Sequence, residues 1–195
     1  MWAGAWHASW PRPGTRWWPG QCAAPAKATD PAALGITVVR GDVTDKESMR
    51  APMRGVDGVY HIAGWYKIGA RDPREGQAIN VQGTRNVLEL MREHAIPKGV
   101  YTSTLAINSD THGQVADETY RFNGSHLSIY DRTKAAAAHA LADQMIAAGL
   151  PLVIVMPGLI HGPGGTSSVR TTLIQYSSAA AAAAQTDRVL VGACG

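Results

Sequence analysis

At 195 residues, with 45% hydrophobic and 17% charged residues, the chain has the length and composition of one globular domain with a sizeable core, and no apolar run reaches the roughly 18 to 20 residues of a membrane span. A formal charge of +3 does not imply nucleic acid as a partner. Cys22 and Cys194 lack C-x-x-C spacing and the seven histidines are scattered, which leaves no case for a disulfide scaffold or a metal site and makes a reducing cytoplasm the expected setting.

The chain opens MWAGAWHASWPRPGTRWWPG, which holds five of its six tryptophans. An apolar h-region is missing there, and Pro11, Pro13 and Pro19 would break an amphipathic helix, so neither a secretory signal nor a transit peptide is indicated. From Leu34 onward the pattern changes. "GITVV" is a short β-branched run closed by the turn-forming "RGDVTD". "KESMRAPM" predicts at most a short helix, broken by Pro52. "DGVYHIAG" predicts a second buried strand, and "REGQAINVQGTRNVLELMREHA" an amphipathic helix, with Ile79, Val81, Val87, Leu88 and Met91 at three- and four-residue spacing and Pro97 beyond its end. "KGVYTSTLAI" follows as a strand, "SIYDRTKAAAAHALADQMIAAG" as a long helix ending at Gly149, and "LPLVIVMPG" as a last buried strand. Alternating strands and helices, with strands apolar on both faces, predict an α/β fold with a parallel sheet. The alanine run in "SSAAAAAAQTDRVLVGACG" has helix propensity without a pattern that selects a packing face.

Chemistry concentrates in two places. Tyr130 and Lys134 in "YDRTK" are four apart on a predicted helix and therefore share a face. An ammonium beside a phenol favours the phenolate and would lower the tyrosine toward neutrality, as a general acid/base requires. Ser103 and Thr104 end a predicted strand, at the carboxyl edge where open α/β sheets bind ligands. A hydroxyl there could hold a substrate oxygen while Tyr130 exchanges its proton. Taken alone, a tyrosine and a lysine at this spacing are usually two surface residues.

In order along the chain, "GDVTD", "VYHIAGWY", "NVQGTRNVLEL", "VYTST", "YDRTK" and "MPGLIHGPGG" resemble the extended short-chain dehydrogenase/reductases, the NAD-dependent epimerase/dehydratase and dihydroflavonol-reductase-like group, over about residues 34 to 176. The resemblance implies a doubly wound Rossmann-like parallel sheet, NAD or NADP as cofactor, a small-molecule substrate, and no nucleic-acid or membrane partner; it leaves the oligomeric state open. It implies Tyr130 as catalytic acid/base and Lys134 as the residue holding the nicotinamide ribose and tuning the tyrosine. Thr104 takes the catalytic hydroxyl position, with Ser103 next in line if the register slips by one. Asp42 falls at the adenine end of the cofactor, Ile62, Ala63 and Gly64 beneath the dinucleotide, Asn80 at the asparagine of the N-V-x-G-T motif, and Pro157 with Gly158 beside the nicotinamide pocket. His61 reads as a structural strand-end residue, and His161 receives no role; Trp65, Tyr66 and Lys67 either line the substrate entrance or simply pack.

The family also begins with a strand, a G-x-x-G-x-x-G turn, a helix and a second strand, where backbone N–H groups at the helix N-terminus receive the pyrophosphate. "GAWHASWPRPG" cannot replace that turn, because bulky side chains and prolines obstruct close approach and remove donors. Shifted by two bases, the codons of the opening segment permit VGGRVARILAEAGHEVVAG, which reads as the end of a glycine motif, its helix and the next strand, so residues 1 to about 22 are expected to be an out-of-frame version of that unit. A weaker reading of the same kind applies from Asp187. The expected organisation is an atypical segment over 1–33, a partial NAD(P)-binding Rossmann domain over 34–176 and a low-complexity tail over 177–195, lacking the first βαβ unit and the C-terminal substrate lobe. In the family's strand order, 3-2-1-4-5-6, "GITVV" would then either pair directly with "GVYHIA" or remain an unpaired edge. Three functional readings follow: an oxidoreductase or epimerase acting on a secondary alcohol or ketone, a catalytically inactive fragment or pseudogene product, and a cofactor-sensing or protein-interaction module on the same fold.

Overall fold

The computed structural model describes residues 16–17, 37–67 and 69–158; His161, the run Ala179–Ala184, both cysteines and the rest of the opening segment lie outside them. Strand β1 (Arg16–Trp17) pairs in parallel with β2 (Thr37–Val38), in the register Arg16↔Thr37 and Trp17↔Val38. Strands β3 (Val59–His61), β4 (Gly99–Thr102) and β5 (Leu152–Val155) form a separate parallel sheet in that order. The fold is α/β, an incomplete Rossmann-like parallel sheet with helical crossovers. The pairing of β2 departs from both sequence expectations: it neither joins β3 nor stands alone, because Arg16–Trp17 supplies the hydrogen-bonding partner that a lone strand edge needs.

Helix α1 (Lys46–Met53) starts at Asp45, whose carboxylate accepts from the Glu47 and Ser48 amides. It runs one residue past Pro52 instead of breaking there, since Met49 and Met53, four apart, are both fully buried and hold the last turn onto the core. After β3 the chain enters one continuous helical rod: α2 (Arg74–Gly76), a π-helical stretch over Gln77–Gly83, and α3 (Thr84–Glu93). The second crossover repeats this build, with α4 (Ile129–Ala135), a π-helical stretch over Ala136–Ala142 and α5 (Asp143–Ala147). Gly149, at φ +92, ends it in the left-handed conformation glycine adopts without strain.

Strand alternation sets the core. Val59, His61, Gly99, Tyr101 and Leu152 point to one buried face, against Val87, Leu88, Leu90 and Met91 of α3 and Ala137, Ala138, Leu141 and Ala142 of the second rod. The small alanine side chains let that rod lie close to its neighbours. No described helix is long and apolar enough to cross a membrane.

Candidate active site

Parallel strands all end at one edge of the sheet, and the segments leaving β3, β4 and β5 at that edge carry Ile62–Gly64, Ser103–Thr104 and Pro157–Gly158. Backbone hydrogen bonds fix the last two together, from Ser103 N to the Val155 carbonyl at 2.8 Å and from Leu105 N to the Pro157 carbonyl at 3.0 Å. Beside them stands the first turn of α4, capped by Ser128, whose Oγ accepts from the Asp131 amide at 3.0 Å. That cap brings Tyr130 and, one turn later, Lys134 to the sheet edge.

Period-two alternation separates the two candidate hydroxyls. Ser103 turns inward with Tyr101, and its Oγ is buried without a hydrogen-bond partner. Thr104 faces the other way, caps the short helical turn Leu105–Asn108 through the Ala106 amide at 3.2 Å, and lies on the side of the Tyr130 phenol. Burial raises the Tyr130 phenol above its ordinary value; the nearby Thr104 side chain opposes the rise, while Asp131 and Tyr66 add to it. This direction is opposite to the lowering anticipated from the Tyr-Lys spacing. The reason is where the ammonium goes: Lys134 Nζ donates to the Thr102 carbonyl at 2.7 Å and lies 4.8 Å from the centroid of the Tyr101 ring. Burial lowers Lys134 itself to about 8.

Asn80, only 1% exposed, holds the loop after β3 in place. Its Oδ1 accepts from the Trp65 amide at 2.6 Å, and its Nδ2 donates to the Trp65 carbonyl at 3.0 Å and to Thr133 Oγ1 at 2.9 Å. Both amide hydrogens are thereby used. Thr133 passes the connection on, donating to the Tyr130 carbonyl at 3.0 Å. The sequence reading misses both Thr133 and this chain of bonds; a threonine three residues after the tyrosine, on the same helix, is the available signal. Gly64 completes the floor, since a Cβ there would sit 3.5 Å from Asn80 Oδ1 and 3.6 Å from Lys134 Nζ, narrowing the approach to the lysine.

The remaining positions divide between packing and exposure. Trp65 is buried beside Gly76, where an added Cβ would meet its ring at 3.1 Å. Tyr66 is exposed and meets the Tyr130 ring edge-on, with centroids 4.8 Å apart and an interplanar angle of 85°. Asp42 builds its own turn: its Oδ1 accepts from the Thr44 amide and hydroxyl, both at 2.8 Å. His61 is buried in the core with its Nε2 2.8 Å from Thr84 Oγ1. The structure therefore brings Tyr130, Thr104, Lys134 and Gly64 to one place, with Asn80 beneath them, while Ser103 faces the interior.

A family model described as "NAD dependent epimerase/dehydratase family" matches residues 15–194. The chain belongs to the NAD dependent epimerase/dehydratase family. The match reaches beyond the motifs at both ends and takes in β1. The chain is 31% identical over 148 residues to sterol demethylase protein B of Methylococcus capsulatus, covering 70% of this chain and 43% of that protein. It is 32% identical over 141 residues to the 2-alkyl-3-oxoalkanoate reductase of Shewanella oneidensis, covering 67% and 35%. Among solved structures, the UDP-glucose 4-epimerase of Thermus thermophilus in complex with NAD superposes with a TM-score of 0.60 at 28% identity, covering 72% of this chain and 47% of that one. The chain thus spans less than half the length of each of these three proteins.

Proposed function

We propose that this chain carries the proton-transfer half of an NAD(P)-dependent oxidoreductase or epimerase acting on a secondary alcohol or ketone. The observation that carries the reading is the convergence of Thr104 and the half-buried Tyr130 phenol at the carboxyl edge of a parallel sheet, with Lys134 on the next turn of the same helix donating to the Thr102 carbonyl. Thr104 would hold the substrate oxygen, and Tyr130 would take its proton on oxidation or return it on reduction. A phenol raised by burial stays protonated near neutrality and is the form that can return a proton on reduction. The residues fit the nicotinamide-ribose half of the cofactor: Lys134 offers donors, and Gly64 leaves the approach to them open. When bound, NAD or NADP supplies or accepts the hydride at the substrate carbon. Asn80 serves as a positioning residue that fixes the Gly64–Trp65 loop, while Ile62, Ala63, Asp42, Pro157 and Gly158 border the cofactor path.

A second reading is a catalytically inactive fragment, with 1–33 atypical, 34–176 a partial Rossmann unit and 177–195 a low-complexity tail. The sequence of residues 1–33 favours it, because they hold no G-x-x-G-x-x-G turn to receive a pyrophosphate. Titrating the purified chain with NADH and NADPH, followed by calorimetry, separates the two. Saturable binding at micromolar concentrations, with turnover that Tyr130→Phe reduces by about a thousandfold or more while binding persists, supports the enzyme. Absence of binding at millimolar cofactor sinks that reading in favour of the inactive fragment.

A further inference from the structure

Resting on the reading of Lys134 as a site lysine, we propose that Tyr101 is its positioning residue: the face of the buried Tyr101 ring, braced by His61, holds the Lys134 ammonium beneath Gly64. Lys134 is 3% exposed, and an ammonium at such a depth needs partners for its three donors. Among the described residues no carboxylate pairs with it. The Thr102 carbonyl takes one donor at 2.7 Å, and the Nζ stands over the Tyr101 ring, 4.8 Å from its centroid and within the range of a cation–π contact.

The ring is itself immobilised. His61 and Tyr101 are register partners on neighbouring strands, so their side chains share a face. Their rings stack 5.3 Å apart at an interplanar angle of 18°. His61 cannot swing aside, because its Nε2 is tied to Thr84 Oγ1 on α3 at 2.8 Å. Nor does it add a competing cation, since burial first and the Lys134 charge second bring its pKa down to about 3. The titratable groups around the ammonium are therefore Tyr101 from β4, neutral His61 from β3 and Tyr130 from its own helix. Three elements thus converge on one lysine through an aromatic surface instead of an ion pair. An aromatic partner suits a residue that must still serve a ligand, because it orients the charge without cancelling it.

The test titrates the full chain labelled with 13C at the lysine ε-carbons. Only five lysines are present, and Lys134→Arg assigns the signal of interest. Tyr101 is replaced by phenylalanine and then by phenylalanines carrying successive ring fluorines, which drain the ring face of negative potential with little change of shape. We expect Tyr101→Phe to leave the Lys134 acid dissociation constant within about twofold, and the fluorinated series to raise it stepwise, by about threefold or more at its end. A flat series overturns the proposal, as does a full-sized change on Tyr101→Phe, which would assign the role to the hydroxyl. NADH titration is read separately: if it fails while the series is graded, the functional reading falls and the platform stands.

Discussion

His61 shows how much a single buried polar side chain can decide. It is 3% exposed, hydrogen-bonded to Thr84 and held neutral by desolvation, with a folded pKa near 3 against an ordinary 6.5. As pH falls below 6.5 the unfolded chain takes up a proton that the folded chain refuses, so stability declines through the window from 6.5 down toward 3. The slope expected from one such group is about 1.4 kcal/mol per pH unit. His61→Gln keeps a hydrogen-bonding group near Thr84 and removes the titration. Urea unfolding at stepped pH between about 7 and 5 should therefore show the variant losing less stability than the parent chain by roughly that slope, and parallel curves would refute the assignment. At this scale the sequence is only half legible. Tyr130, Lys134 and Thr104 can be read from it because spacing on a helix and position at a strand end are local properties. The use of Asn80 cannot, because its partners Trp65 and Thr133 lie 15 and 53 residues away, and only the folded chain shows that its donors are spent on backbone and threonine. The same holds for Tyr101, whose importance comes from strand register with His61.

Elements are legible where a period runs long enough. The helix predicted over 74–95 forms over Arg74–Glu93, and the one predicted over 128–149 ends at Ala147 before Gly149. The π-helical stretches within them are invisible to a 3.6-residue template, and one of them contains Asn80 and Gly83. Gly83 is where this rod meets the GDVTD turn. A Cβ there would stand 2.8 Å from Val43 Cγ2 and 3.1 Å from Val43 Cβ, and Asn86 Nδ2 donates to the Val43 carbonyl at 2.8 Å, which prevents the turn from backing away. Gly83→Ala should cost about 1 to 3 kcal/mol, the usual range for overpacking a rigid contact. Denaturant unfolding checks this, and an unchanged midpoint would show that the turn gives way freely. The contact matters beyond packing, because the turn also carries Asp42 and leads into α1, which is clamped to α3 by Lys46 to Glu89 and Glu93, both at 2.6 Å, and by Arg50 to Glu93. Those ion pairs are partly exposed and should weaken with salt, unlike the glycine contact.

At the scale of the whole molecule, one face of the three-stranded sheet is partly exposed among the described residues. Register aligns Tyr60, Val100 and Val153 in a row opposite the buried face, and Tyr60 and Val153 are 51% and 61% exposed. Parallel sheets are ordinarily covered on both sides. The crossovers β3 to β4 and β4 to β5 step the same way across the sheet, so right-handed connections put both helical rods on one face; a unit stepping the opposite way is needed to cover the other. In the family that unit is the first βαβ, and the two-base-shifted reading of residues 1–19, VGGRVARILAEAGHEVVAG, contains its helix pattern followed by Val-Val at the positions of Arg16 and Trp17. β1 already pairs with β2 in parallel, so the shifted sequence would place valines into an existing register. Substituting that segment for residues 1–19 should bury the exposed row under a helix, raise the midpoint of thermal unfolding by about 5 °C or more and reduce binding of a hydrophobic dye. An unchanged midpoint with undiminished dye binding would mean that the segment does not reach this face.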